Sequence, residues 1–169
     1  MFDIDLTTLA ISIVGIVAFI APFLIKHQGN KKTTLKIRQQ LNEKLLENQL
    51  SVQEEEIWRD RYFLGLDKSK NKLIYVQDIS KMTLRIIDLE KIFSVSIHET
   101  SHHVGDKKNG RNIIDSIHLS IQSKDTSKTL TLEVFNSDYF SDLFGEPVFA
   151  KRWKEIIEKQ LKKAELVNS

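Results

Sequence analysis

The 169-residue sequence has no cysteine, only two prolines and six glycines, and no excess of charge of either sign. Without cysteine there is no disulfide, no thiolate metal site and no thiol nucleophile, which suits a reducing compartment. So few prolines and glycines argue against a long disordered tail. With 25 basic and 23 acidic residues the net charge is +2. A nucleic-acid binder normally shows a dominant basic face, so no nucleic-acid partner is expected. The chain also lacks a glycine-rich phosphate loop, a nucleophile–base pair and a plausible carboxylate dyad. No catalytic residue and no cofactor is expected.

What the chain does have is a long uncharged run, residues 6–25 (LTTLAISIVGIVAFIAPFLI). A helix of about 20 residues rises roughly 30 Å, the thickness of bilayer hydrocarbon, and pairs its own backbone groups in a solvent without water. Asp3 and Asp5 precede the run, whereas Lys26, Lys31, Lys32, Lys36 and Arg38 follow it. Basic flanks stay in the cytoplasm, so the expectation is a single span in the inner or cell membrane, N-terminus outside and the remainder cytoplasmic. A cleaved signal peptide would want a basic front, a shorter core and a clean small-residue site. A soluble core helix this apolar would need more protein to cover it. Ser12, Gly15 and Ala18 fall at i, i+3 and i+6, a spacing read as chance on a lipid-facing surface rather than as a close-packing seam.

Residues 33–50 carry Ile37, Leu41 and Leu45 at helical spacing with charges opposite, and predict a helical spacer. The pattern is too short for a sustained coiled coil. Ser51 and Glu54 have capping-box spacing, which predicts a further helical turn through Glu56 and Trp58. From Arg61 the period becomes two. Tyr62, Leu64 and Leu66 alternate, a polar turn follows at 67–72, and apolar residues return at 73–76. Segments 83–89, 93–98, 117–122 and 130–134 complete about six short strands, read as an antiparallel sheet with one buried face. Residues 99–112 read as a long polar loop with an Asn109–Gly110 turn. Phe149, Trp153, Ile156, Ile157, Leu161 and Ala164 then mark one stripe of a terminal amphipathic helix, residues 147–166, whose Trp plugs the curved sheet.

Trp58, the stretches 63–67 (FLGLD) and 71–75 (NKLIY), Ile87, Leu89, Ile92, the Ile117/Leu119/Ile121 strand and Lys151–Arg152–Trp153 resemble the membrane-anchored pleckstrin-homology-like (PH-like) proteins of bacteria. The resemblance implies a seven-stranded barrel capped by a helix. The seventh strand would lie within 79–92 or 48–57. It also implies binding or scaffolding rather than catalysis. The resulting α+β organisation is a transmembrane anchor at 1–26, a helical juxtamembrane spacer at 27–57 and a PH-like domain at 58–169.

The sharpest chemical motif is H-E-x-x-H at His98, Glu99 and His102, with His103 and Gly105 beyond. On a helix it would hold zinc with the Glu as general base. Here His98 continues the alternation of a strand, where positions 98 and 102 stand about 13 Å apart. The third-ligand position is Lys108, of the wrong charge, so a zinc hydrolase is a distant alternative and no metal residue is assigned. The candidate binding residues are Lys68, Lys70 and Lys72 in the first hairpin with Lys107, Lys108 and Arg111 in the long loop. At one mouth of a barrel they would meet a protein partner or anionic lipid head groups. Phe135, Tyr139, Phe140, Phe144 and Phe149 read mainly as packing between the last strand and the helix, with a peptide groove as the alternative. The expected function is a membrane-anchored, non-catalytic module that recruits a protein partner, with anionic-lipid sensing as the alternative.

Overall fold

The computed structural model describes residues 35–106, 110–125 and 129–167. The chain divides after Lys44, and Leu45–Ser169 forms one compact unit. The apolar run 6–25 lies outside the described residues. Within them no helix is long and apolar enough to cross a membrane.

Helix α1 covers residues 35–47, and Ile37, Leu41 and Leu45 are its least exposed positions. It stops at Gln49, whose φ of 56° is left-handed. Gln49 N–H donates to the Leu46 carbonyl and Leu50 N–H to the Leu45 carbonyl, the pair of bonds that closes a helix C-terminus. Leu45 and Leu50 are both buried, supplying the apolar contact that accompanies this cap.

Four strands then form one antiparallel sheet in the order β1 (Glu54–Trp58), β2 (Tyr62–Asp67), β3 (Lys72–Val76), β4 (Arg85–Asp88). After a single 3-10 turn at Leu89–Lys91, a second antiparallel sheet follows: β5 (Ile92–Val104), β6 (Arg111–Ser123), β7 (Thr129–Asn136). Helix α2 (Glu146–Val167) ends the described chain.

Both sheets and α2 share one core. Tyr62, Leu64, Leu66, Leu73 and Tyr75 of the first sheet meet Val95, Ile117, Leu119, Ile121, Leu132 and Val134 of the second. Phe149, Trp153, Ile157 and Leu161 of α2 close it along the stripe that the sequence predicts. Polar bonds fix β7 against the first sheet. Trp58 Nε1 donates to the Val134 carbonyl at 2.8 Å, Tyr75 Oη to the Glu133 carbonyl at 2.8 Å, and Tyr62 Oη to Glu133 Oε1 at 2.7 Å. Burial, reinforced by Glu133, pushes the Tyr62 phenol pKa up, so it stays a donor.

Three expectations are corrected. Residues 54–58 are strand β1, not the end of a helical spacer. Their backbone pairs with β2 from Glu54↔Leu66 to Trp58↔Tyr62, and a full ladder outweighs a local capping-box signal. The first sheet is buried on both faces at its centre, because Phe63, Ile74 and Val76 are as covered as Tyr62 and Leu64. Phe63 lies over Gly65, where an added Cβ would sit 2.7 Å from its ring and 3.0 Å from Val52. Finally, residues 99–104 are not loop. They extend β5 and pair with β6 as far as Val104↔Arg111, with Asp115 the extra residue of a bulge.

Candidate functional site

The β1–β2 turn, the β7–α2 loop and the first turn of α2 build one groove of about 400 Å³. The turn is the three residues Arg59–Arg61 between the paired Trp58 and Tyr62, with Arg61 N–H donating to the Trp58 carbonyl and both Arg59 (φ 56°) and Asp60 (φ 49°) left-handed. That backbone normally selects Asn or Gly. Here it aims Arg59 at the start of α2. Arg59 Nε donates to Glu146 Oε1 at 2.5 Å, and Nη2 to the Asp142 carbonyl at 2.6 Å. The guanidinium also lies 4.9 Å from the Phe140 ring centroid and 5.9 Å from that of Phe144.

Glu146 is buried at the positive end of the α2 dipole, where a carboxylate is favoured. Its burial would raise the pKa, but the Arg59 and Phe144 N–H donors outweigh that and hold it below the ordinary carboxylate value. Trp58 and Phe149 form the floor, their rings 4.1 Å apart. Arg152 pairs with Glu56 across the rim. Both arginines are thus neutralised, and the groove presents apolar surface between satisfied charges.

Two of the nine exposed large hydrophobics among the described residues, Phe144 and Val148, line this groove, and two more, Tyr139 and Leu143, lie in the loop that precedes it. Phe144 is 84% exposed and Val148 73%. The five aromatics grouped in the sequence therefore separate by role. Phe135 and Phe149 are core, Phe140 packs on its edge, and Tyr139 and Phe144 face solvent. Beyond the loop, a second groove of about 440 Å³ is lined by Ile113, Ile114, Phe135, Phe140 and Leu143, with Arg111 at its margin.

The predicted basic residues occupy two separate places. Lys68 and Lys70 lie in the β2–β3 turn and Lys72 opens β3, whereas Arg111 opens β6 at the far end of the β5–β6 ladder. Lys107 and Lys108 lie outside the described residues. Lys68 pairs with Glu54, Lys72 Nζ is 2.8 Å from Asp88, and Lys70 Nζ donates to the Gln49 carbonyl at 2.6 Å. Sequence reasoning missed Arg59, Glu56, Glu146 and Arg152. The one available signal was Arg59–Asp60–Arg61, a turn without the glycine or asparagine that announces one.

The H-E-x-x-H match lies wholly in β5. His102 Nδ1 is 2.6 Å from Asp115 Oδ1, and His98 faces His118 across the ladder. Among the described residues no group of three His, Asp or Glu could hold a metal ion. Burial lowers the His118 pKa, with Glu133 opposing and His98 adding to the effect. An unfolded chain therefore takes up the His118 proton more readily, and stability falls as pH drops below the ordinary histidine value of 6.5. Urea midpoints of the full chain at pH 7 and pH 5 should show this loss, and His118→Gln should reduce it. Identical pH slopes in both proteins would refute it.

The chain matches no protein-family model, and no curated protein and no solved structure is significantly similar to it.

Proposed function

We propose that this chain is a membrane-anchored, non-catalytic binding module of PH-like architecture that recruits a protein partner through the Phe144 groove. The anchor is the uncharged run 6–25, oriented by the acidic residues before it and the basic residues after it. The resemblance implies seven strands followed by one helix, and seven strands, in two antiparallel sheets, followed by one helix among the described residues support that reading. The strand placement of His98 and His102 counts against a zinc site at this motif, since residues four apart on a strand stand about 13 Å apart.

The observation that carries the function is the exposure of Phe144 and Val148 beside a groove floored by Trp58 and Phe149. Clustered aromatic and apolar residues with arginine, and with charges already paired, are the composition of an interface centre. The expected partner supplies a large apolar side chain to sit between Phe144 and the Trp58–Phe149 floor.

Photo-crosslinking in cells tests this. A benzophenone side chain at position 144 should give one discrete protein adduct, and the same probe at exposed Gln122 on β6 should give none. Loss of the adduct on Val148→Asp would confirm the groove as the contact. Equal, diffuse labelling from both positions would contradict the proposal.

A further inference from the structure

At the opposite end of α2 lies a pocket of about 450 Å³ with a different character. Leu66 of β2 and Ile156 of α2 give it an apolar floor, and Lys68, Lys159, Lys162 and Lys163 surround the opening. Its shape is fixed by Gln160, which is buried and donates through Nε2 to the Lys68 carbonyl at 3.2 Å and to Asn71 Oδ1. Lys68 is engaged by Glu54, the carboxylate on this rim. Glu158 is taken by Lys154 at 2.7 Å, and Glu90 lies across the adjoining depression. Among the described side chains, which end at Ala164, Lys159, Lys162 and Lys163 have no ion-pair or hydrogen-bond partner, and all three are exposed. No basic residue lies in the last turn of α2, so the helix dipole does not account for three lysines grouped round an apolar floor.

We infer that this lysine-rimmed face of α2 docks on an anionic phospholipid bilayer. Lipid phosphates would meet Lys159, Lys162 and Lys163, whose aliphatic stems, with Ile156 and Leu66, would lie against the interface. The choice of a membrane follows from where the chain enters the domain. Ser51 N–H donates to Asp67 Oδ2 and Gln53 N–H to the Leu66 carbonyl, so the segment arriving from the N-terminal side joins the domain at this pocket. The occupant therefore rests on reading residues 6–25 as a span, whereas the charge complementarity does not. Val148 and Lys162 are separated along α2 by about 21 Å of helical rise. The lysine face and the Phe144 groove are therefore separate enough to be occupied at the same time.

The test is lysine acetylation footprinting of the full chain with vesicles of phosphatidylcholine alone, or of equal parts phosphatidylcholine and phosphatidylglycerol. Flotation is measured in parallel. Labelling of Lys159, Lys162 and Lys163 should fall several-fold on the anionic vesicles only, and recover at about 1 M salt, where the screening length shrinks to about 3 Å. Lys81, in the β3–β4 loop at the other end of the domain, should label equally throughout. Equal labelling of the three lysines on both vesicles would overturn the inference, and so would matching protection of Lys81. Equivalent protection by inorganic phosphate alone would make this a soluble-phosphate site and overturn the membrane. Flotation on anionic vesicles only, with the footprint intact, would remove the span and leave the lysine face standing.

Discussion

Trp153→Ala is expected to destabilise the full chain by about 3–5 kcal/mol, the range for deleting a large aromatic from a packed core. Trp153 is 1% exposed, in the one cluster that joins both sheets to α2. Its indole Nε1 donates to Glu56 Oε2 at 3.2 Å, so the truncation also takes a donor from a carboxylate at the edge of the groove. Lys154→Ala, one position round the helix, removes only an i,i+4 ion pair with Glu158 at 2.7 Å. That should cost about 0.5 kcal/mol or less. Thermal unfolding followed by circular dichroism measures both. Small, equal effects would mean that α2 is not packed on the sheets.

Asp67→Ala should cost about 3 kcal/mol or more, although no apolar contact is lost. Asp67 is 0% exposed and has four donors: Ser51 N–H at 2.8 Å, Ser69 N–H at 3.0 Å, Ser69 Oγ at 2.6 Å and Lys70 N–H at 3.0 Å. One carboxylate thus closes the β2–β3 turn and ties down the segment that leads into β1. Burial would raise its pKa, but the Ser69 hydroxyl and the backbone N–H groups outweigh it and hold it below the ordinary value. The folded state therefore favours the carboxylate. Its stabilisation is complete above the ordinary Asp value and is lost as pH falls through the lower folded value. Asp67→Asn keeps an acceptor for the turn but sets an amide N–H₂ against Ser51 N–H. It should be intermediate in cost and show a shallower acid limb in urea midpoints. An Asp67→Ala protein as stable as the wild type would show that the turn and the incoming segment are held by something else.

Much of this architecture was legible because it is written in period. The alternation at Tyr62–Leu66 and Ile117–Ile121 and the stripe from Phe149 to Ala164 each appear as buried faces. What escaped has particular causes. Strand β1, for which the resemblance left room within 48–57, was not legible from its own residues: it reads EEEIW, three acids and poor strand formers, and its hairpin turn is Arg–Asp–Arg. Both are imposed by tertiary pairing and by the bonds of Arg59 rather than by propensity. The second buried face of the first sheet was visible only as the unbroken runs FLGL and LIYV, which alternation counting treats as one-sided. The β5 extension is His-, Ser- and Thr-rich because its side chains are exposed, and it is a strand because β6 continues to pair with it.

The groove was hidden for a further reason. Exposure is not written in residue type, and Phe144 and Phe149, five positions apart, occupy opposite environments. Only the path of the β7–α2 loop over Arg59 separates the aromatic that packs from the aromatic that waits.

The dissociation constant of the partner captured at position 144, compared between wild type and Phe144→Ser, tests the central claim most directly. An interface anchor contributes about 2 kcal/mol or more, so Kd should rise about 30-fold or more. The melting temperature should not move, because an exposed side chain gives the fold little. An unchanged Kd, or a melting temperature that falls with the substitution, would contradict the account.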